Sequence, residues 1–214
     1  MLEHLADLLP VVTERGWAAG QAGLPQIRAE ARRLGWAEVA NRQGEPSVTT
    51  LRAVDPSDAH PNSLSSRYGK GEQPLHTDGA HLQKPPDFIV LASDVTNNTP
   101  TLISESGRGP FRAAMPPYVQ HGVFLVQNGK NSFYSTAYSG GRIRYDPGCM
   151  TPCDARAKQA VKFFAEREVL EFTWYHAGMF LLMDNRRILH ARGSAVGDPQ
   201  RVLQRVSFHG ESES

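Results

Sequence analysis

Apolar residues occur with two different periods along this chain: a helical period near the N-terminus and short strand-like runs afterwards. The helical period predicts two amphipathic helices within about residues 1–36, with Gly20 and Gly23 between them. The apolar positions of these helices are Leu2, Leu5, Leu8 and Leu9 in the first and Leu24, Ile27, Ala31 and Leu34 in the second.

From Ala37 onward the apolar runs are short, and clusters of Gly, Pro, Asn and Asp separate them. This punctuation is typical of a sandwich or barrel of short strands. One later segment, 154–167, has helical spacing with Asp154 at the N-cap. The stretches 55–75 and 128–150 have little periodicity, so we expect long loops there. The predicted strands are 47–54, 88–92, 122–127, 168–174, 179–183 and 202–208.

Length and composition narrow the class of protein. A chain of 214 residues predicts one domain over 1–214, with helices over about 1–36 and a β-rich core over about 37–210. Lys+Arg 23 against Asp+Glu 22 leaves no excess of positive charge for a nucleic acid partner. No apolar stretch approaches the roughly 20 residues of a membrane span. Residues 1–10 do not resemble a signal peptide, because Glu3 and Asp7 interrupt their leucines. We therefore expect a cytoplasmic protein.

The triplet His76-Thr77-Asp78 is the first candidate for chemistry. In an extended segment, residues i and i+2 point to the same side, so an imidazole and a carboxylate can face one point. Pro74 before the triplet and Gly79 after it predict a strand end that opens into a loop. Such triplets are common, so this one alone leaves a metal site and an ordinary strand end both open.

The second candidate lies more than a hundred residues later. An apolar strand over 179–183 is followed by an Asp-Asn turn signal, which places His190 near the start of the second strand of a predicted hairpin. Further on, Arg201 and Arg205 share one face of the extended run 200–208, which includes the predicted strand 202–208. Arginines on a buried face need anions, and a dicarboxylate fits their forked donors. An edge strand with solvated arginines is the alternative.

Together, two histidines and one carboxylate match the facial triad of non-haem Fe(II) oxygenases, which leaves three metal positions open. A chelating 2-oxo acid can take two of these positions and O2 the third. An arginine a short distance after the distal histidine is suitably placed to hold the far carboxylate of 2-oxoglutarate.

Two segments resemble the motifs of a known family. Residues 74–81 (Pro-Leu-His-Thr-Asp-Gly-Ala-His), followed by Pro85-Pro86 and the strand 88–92, resemble the first motif of the taurine dioxygenase/clavaminate synthase-like enzymes. Residues 184–193 (Asp-Asn-Arg-Arg-Ile-Leu-His-Ala-Arg-Gly) resemble the second. Arg201 and Arg205 follow His190 by 11 and 15 residues, a spacing familiar from the taurine dioxygenase branch. The resemblance covers about residues 62–208.

This resemblance implies a mainly β fold with flanking helices, a double-stranded β-helix or jelly roll. It implies a salt bridge from Arg201 to the C5 carboxylate of 2-oxoglutarate. Thr101 stands where the family has a Gly-Gly-x-Thr segment that binds the cosubstrate, although Asn97 and Asn98 replace the glycines here. Arg205 would face the cosubstrate or a substrate anion, or pair with an acidic side chain in a structural role. The implied Fe(II) ligands are His76, Asp78 and His190.

The implied reaction is hydroxylation of an unactivated C–H bond in a small polar metabolite, an amino acid or a natural-product intermediate, with release of succinate and CO2. Desaturation and cyclisation use the same iron, whereas halogenases replace the carboxylate that Asp78 supplies here. A cupin-like metal-binding protein without turnover and a zinc hydrolase are the alternatives. The loop residues with which we expect a substrate to interact are Arg67, Tyr68, Tyr138 and Arg144.

The chain is short for this family, whose members often approach 300 residues. The shorter length predicts either a more open substrate pocket or one completed by a partner subunit in a homo-oligomer.

Overall fold

The computed structural model describes residues 4–42, 44–61, 63–105, 115–129 and 131–210, so the predicted helix position Leu2 lies outside the described residues. The helices are α1 (Leu5–Arg15), α2 (Leu24–Arg33), a 3-10 helix (Pro56–Asp58), α3 (Leu64–Tyr68), α4 (Pro117–His121) and α5 (Ala155–Ala165). The strands are β1 (Trp17–Gln21), β2 (Ala37–Val39), β3 (Val48–Arg52), β4 (Phe88–Ser93), β5 (Asn97–Glu105), β6 (Val123–Val126), β7 (Phe133–Thr136), β8 (Tyr138–Ser139), β9 (Arg142–Ile143), β10 (Met150–Pro152), β11 (Leu170–Trp174), β12 (Met179–Asp184), β13 (Ile188–Arg192) and β14 (Val202–His209).

Two antiparallel sheets form the centre of the fold. The large sheet has the order β1-β12-β4-β14, and the far side of β14 pairs with β3 through residues 202–206 and with β2 through residues 207–209. The small sheet has the order β11-β5-β13, and a bridge between His76 and His190 continues it on the free side of β13. Strands β4, β12 and β14 thus belong to the large sheet, and β5, β11 and β13 to the small one.

The chain changes sheets between β12 and β13, so the predicted hairpin around 184–187 is wrong. Strand β12 pairs with β1 and β4, which fill both of its edges, and β13 pairs with β5 instead. The turn is tied to a different segment: the Asn185 amide donates to the carbonyls of Asp78 and Pro86, each at 2.9 Å. Strand β13 is therefore carried across to the small sheet.

Alternate residues of the large sheet face in opposite directions, and both faces are buried. Ile89 and Leu91 point inward, where they pack with Ile103 of the small sheet. Val90 and Ala92 point outward, where α1 and α2 cover them. Burial of both faces explains why these strands are continuous apolar runs rather than alternating ones.

The outer face of the small sheet is covered by α4, α5 and a three-stranded sheet of order β10-β6-β7. Leu189 and Ala191 of β13 pack there with Phe124 and Phe164, both fully buried. The predicted cap of α5 is confirmed, because the Asp154 carboxylate accepts from the backbone N–H of Ala157 at 2.7 Å.

The predicted strands and both N-terminal helices are confirmed in position. Strand β1 was not predicted, because a short run containing Gly20 has little strand character; it forms by pairing with β12. The expectation of a loop over 128–150 is wrong in part, since β7, β8 and β9 lie within it. Among the described residues, no helix is both long and apolar enough to cross a bilayer.

Candidate metal centre and its cavity

The three predicted metal ligands meet between the two sheets. His76 and His190 exchange backbone hydrogen bonds, N–H to carbonyl in both directions at 2.9 Å, which fixes one segment against the other. Their rings lie with centroids 4.5 Å apart. One ligand atom from each of His76, Asp78 and His190 lies within 4.8 Å of the others, so one ion can contact all three.

The backbone around Asp78 is held on two sides. Asn185 forms a reciprocal pair with it: the Asp78 N–H donates to the Asn185 amide oxygen, and the Asn185 amide nitrogen donates back to the Asp78 carbonyl, each at 2.9 Å. The N–H of Thr77 donates to the carbonyl of Tyr145 at 2.7 Å. The carboxylate is thus positioned by buried backbone contacts rather than by a free loop.

The two carboxylate oxygens of Asp78 have different partners. Oδ1 accepts from Nη1 of Arg205 at 2.5 Å. Oδ2 is buried, lies 3.6 Å from Nε2 of His190, and has no hydrogen-bond partner among the described residues. Burial raises the pKa of the Asp78 carboxyl, but Arg205 and then His190 outweigh burial and hold this pKa below its usual range. The result is an ionised carboxylate with one oxygen available to a cation.

Both imidazoles are suited to metal binding. Nδ1 of His76 lies 3.0 Å from the carbonyl of Pro74, which can only accept, so Nδ1 is the donor and Nε2 is the nitrogen left to face a metal. Burial, followed by the nearby His76, lowers the pKa of His190 to about 3, so its ring is neutral at pH 7. Two imidazoles and an unpartnered carboxylate oxygen fit the donor set of a non-haem Fe(II) site.

A cavity of about 430 Å³ opens onto these ligands. Its volume is in the range of small-molecule sites. The inner part is lined by Thr101, Arg192, Arg201 and Arg205, so the three predicted cosubstrate residues and the three predicted metal ligands all contact one cavity. Its outer part is lined by residues of the 55–75 segment, where a functional loop was expected.

Arg201 is the second unusual feature of this cavity. It is 4% exposed, its Nε has no hydrogen-bond partner, and no carboxylate of the described residues forms an ion pair with it. Burial and the charge of Arg192 lower the pKa of Arg201 to about 10, so it remains a cation at pH 7. A buried, unpaired cation in a cavity is costly unless an anion binds there.

Thr101 and Arg192 line the cavity together with Arg201. Thr101 lies on the inner side of β5, 1% exposed, and its hydroxyl accepts from Nε1 of Trp174 at 3.2 Å. Arg192 donates from Nη2 to the carbonyls of Gly69 and Gly71, which fixes the 55–75 segment at the cavity. Sequence reasoning gave Arg192 no role, although it lies two residues after His190 on the same inward face.

The four loop residues predicted to contact substrate lie away from the lining of this cavity. Arg144 donates to the carbonyls of Ala80, Leu82 and Gln83. Arg67 donates to the carbonyl of Pro147, Tyr68 is exposed at the surface, and Tyr138 packs at the edge of the α4–α5 core. The other polar residues that line the cavity include Asn41, Arg42, Arg52, Asp58, His60 and Asp146.

The fold and site define a class: a mainly β protein in which two histidines and one carboxylate, a set that could hold a metal ion, meet between two sheets. No family model and no curated protein matches the chain. Solved structures do match. Asparagine oxygenase in complex with Fe(II), 2S,3S-3-hydroxyasparagine and succinate aligns with a TM-score of 0.57 at 14% identity, over 75% of this chain and 56% of that chain.

Two further structures align over nearly the whole chain. The non-heme iron oxygenase OrfP in complex with Fe, succinate and (3S)-hydroxy-L-Arg has a TM-score of 0.65 at 14% identity, over 95% of this chain and 79% of that one. A taurine dioxygenase from Burkholderia xenovorans has a TM-score of 0.64 at 16% identity, and the alignment covers 96% of this chain and 81% of that one. The chain thus shares the fold of these enzymes, while it spans little more than half of the asparagine oxygenase chain.

Proposed function

We propose that this protein is an Fe(II)- and 2-oxoglutarate-dependent oxygenase. The observation that carries the proposal is the convergence, in one cavity, of a facial triad with a free carboxylate oxygen and of the buried, unpaired Arg201. His76, Asp78 and His190 would hold the metal. Arg201 would bind the C5 carboxylate of 2-oxoglutarate, and Thr101 would contact the same cosubstrate.

The bound metal, with 2-oxoglutarate and O2, would supply the oxidising power for a C–H bond. The residues of the chain would hold the metal ligands in place and orient the cosubstrate. The reciprocal backbone hydrogen bonds between His76 and His190 would keep the ligands in place. Arg201 orients the cosubstrate by a charge-assisted contact at its far end. Hydroxylation is the default outcome, and desaturation or cyclisation would use the same residues.

The architecture we propose is a double-stranded β-helix. Its support is the alternation of the chain between sheets: β3 and β4 belong to the large sheet, β5 and β11 to the small one, and β12, β13 and β14 then alternate. The two sheet orders, β3-β14-β4-β12 in the large sheet and His76-β13-β5-β11 in the small one, support this proposal.

The substrate we propose is a small amino-acid-like metabolite. Two of the similar structures contain hydroxylated amino acids, a hydroxyasparagine and a hydroxyarginine. The outer cavity here carries both signs of charge, from Arg42 and Arg52 and from Asp58 and Asp146, which suits a zwitterion. A natural-product intermediate of the same chemistry fits equally. Cytoplasmic location, a homo-oligomer and contacts of Arg67, Tyr68, Tyr138 and Arg144 with substrate stay predictions.

A cupin-like metal-binding protein without turnover is the alternative. It would use the same three ligands but would leave Arg201 buried without a partner, which a simple metal site has no need for. The unpaired arginine therefore favours an enzyme with a carboxylate cosubstrate.

Spectroscopy under anaerobic conditions tests the proposal. Protein loaded with Fe(II) should develop a visible metal-to-ligand charge-transfer band when 2-oxoglutarate is added, and Asp78→Ala should show none. Metal-loaded wild type without the band would refute the proposal. Screening amino acids for substrate-triggered succinate formation would then separate turnover from binding alone.

A further inference from the structure

The guanidinium of Arg205 lies between two acceptors of different kinds. One edge, Nη1, donates to Oδ1 of Asp78 at 2.5 Å. The other edge, Nε and Nη2, faces the side chain of Asn41. When the amide of Asn41 is oriented with its oxygen toward Arg205, that oxygen accepts from Nη2 at 3.0 Å and from Nε at 3.3 Å. A guanidinium has donors only, so this is the orientation that its chemistry requires.

Asn41 is itself held in place. It is 6% exposed, it follows β2, and its backbone carbonyl accepts from Nε2 of His81 at 2.9 Å. Strand β2 pairs with residues 207–209 of β14, the strand that carries Arg205. The two ends of the contact are therefore fixed by neighbouring strands of the large sheet, which makes the Asn41–Arg205 contact part of the rigid framework.

This contact determines how Arg205 meets the metal carboxylate. An arginine fork readily binds both oxygens of a carboxylate through two parallel hydrogen bonds. Here the Nε–Nη2 edge is occupied by Asn41, so a single N–H reaches Asp78. Oδ2 is left without a hydrogen bond among the described residues, 3.6 Å from Nε2 of His190.

We infer that Asn41 is a positioning residue of the metal site. By occupying one edge of Arg205, it prevents the arginine from taking both oxygens of Asp78 and so keeps Oδ2 for the metal. Without Asn41, the guanidinium can turn and compete with the cation for the same carboxylate. The inference rests on the proposed function insofar as that function places a divalent metal on His76, Asp78 and His190.

The test is a metal titration that does not depend on turnover. Co(II), which reports its binding through its visible absorption, is titrated into wild type and Asn41→Leu. Loss of a residue that orients a metal ligand costs about 10- to 100-fold in metal affinity, and we expect a loss of this size. Asn41→Ala is measured in parallel, since its smaller side chain cannot clash in the site.

Asn97→Leu is the matched control. Asn97 is also buried, at 4% exposure, and its side chain bonds Ser93 and the N–H of Val202, away from Asp78. It should lower thermal stability and leave Co(II) affinity within about twofold of wild type. A purely structural role of Asn41 would give the same result for both asparagines.

An Arg205→Lys background tests whether Asn41 acts through the arginine. A lysine ammonium has no fork with which to bind both oxygens in the arginine manner, so Asn41→Leu should change Co(II) affinity by no more than about twofold there. An undiminished loss in that background would overturn the inference. So would equal affinity of wild type and Asn41→Leu, which leaves the proposed function intact, whereas failure of wild type to bind Co(II) would overturn both.

Discussion

Replacing Arg201 by methionine should have opposite effects on stability and on cosubstrate binding. Methionine keeps much of the length and apolar volume of the arginine stem and removes the charge. Because the arginine is 4% exposed and its Nε is unpartnered, the protein without cosubstrate pays for burying a cation without a compensating anion. With 2-oxoglutarate bound, the same cation would have a carboxylate partner.

The magnitudes follow from the surroundings of Arg201. The fall of its pKa from 12.5 to about 10 corresponds to roughly 3 kcal/mol against the charged form. We therefore expect Arg201→Met to raise the free energy of unfolding of the ligand-free protein by about 1–3 kcal/mol. Loss of one partner of a buried charge pair costs about 2–5 kcal/mol, so 2-oxoglutarate affinity should fall about 30-fold or more.

The assay compares two ligands that differ only at the far end. The Fe(II) charge-transfer band is titrated anaerobically with 2-oxoglutarate and with 2-oxopentanoate, which has the same chain length but no C5 carboxylate. Wild type should strongly prefer 2-oxoglutarate, and Arg201→Met should bind the two about equally. A variant that keeps the preference would refute the assignment of Arg201.

Arg28→Met is the control for this experiment. Arg28 is paired with Glu38 through two hydrogen bonds of 2.7 and 2.8 Å, far from the cavity lining. Its removal should lower the free energy of unfolding by up to about 1 kcal/mol and leave both ligand affinities unchanged. A gain in stability from Arg28→Met would show that methionine itself, rather than removal of an unpaired charge, stabilises the fold.

Three further predictions concern the framework of the site and the N-terminal helices. Asn185→Leu removes three buried hydrogen bonds to Asp78 and Pro86; urea unfolding should show a loss of about 3 kcal/mol or more, and a loss below about 1 kcal/mol would contradict this role. Gly79→Ala should cost about 1–3 kcal/mol in the same assay, since φ is +67° and the added Cβ would lie 2.6 Å from Cδ of Pro86. Burial raises the pKa of Glu30, but the N–H of Leu5 and other donors outweigh burial and hold the pKa below 4.5. The ionised Glu30 therefore contributes fully to stability above pH 4.5, and this contribution is lost as the pH falls through the folded-state pKa. In Glu30→Gln, the free energy of unfolding should depend less on pH in the acid range. An unchanged slope of the free energy of unfolding against pH would contradict this role.

The elements predicted from sequence are those whose pattern comes from burial alone. Strands β4 and β12 are apolar on both faces because helices cover one face and the small sheet the other, so their runs are visible in the sequence. Strand β5 was not predicted because its inward positions include polar residues: Thr101 lines the cavity, Asn97 bonds Ser93 and Val202, and Thr99 bonds Asp198. Pro100 within it further weakens the strand pattern. The polar residues on the inward face of this strand thus obscure its structural signal.

The site residues likewise divide into those that a local sequence pattern indicates and those that it does not. His76 and Asp78 were candidates because the i, i+2 geometry of a strand is local, and Arg201 because an arginine on an inward face needs an anion; the family resemblance then implied their roles. Asn41 and Arg192 act through contacts with residues distant in sequence, and no local period marks such contacts. Sequence reasoning could have found Arg192 from its inward register with His190, but nothing in the pattern indicated Asn41.

The metal ligands and the outer cavity depend on different kinds of structure. His76 and His190 are joined by reciprocal backbone hydrogen bonds, and Asp78 is held by a buried asparagine, so the ligands can shift only if the sheets themselves deform. The outer cavity is lined by strand β3 and by the 55–75 segment, which contains the 3-10 helix and α3 joined by loops, and loop side chains can be exchanged at little cost to the core. Changes of substrate preference should therefore be obtained at positions such as His60 without loss of metal binding, because among the described residues the His60 side chain bonds only the neighbouring Pro61.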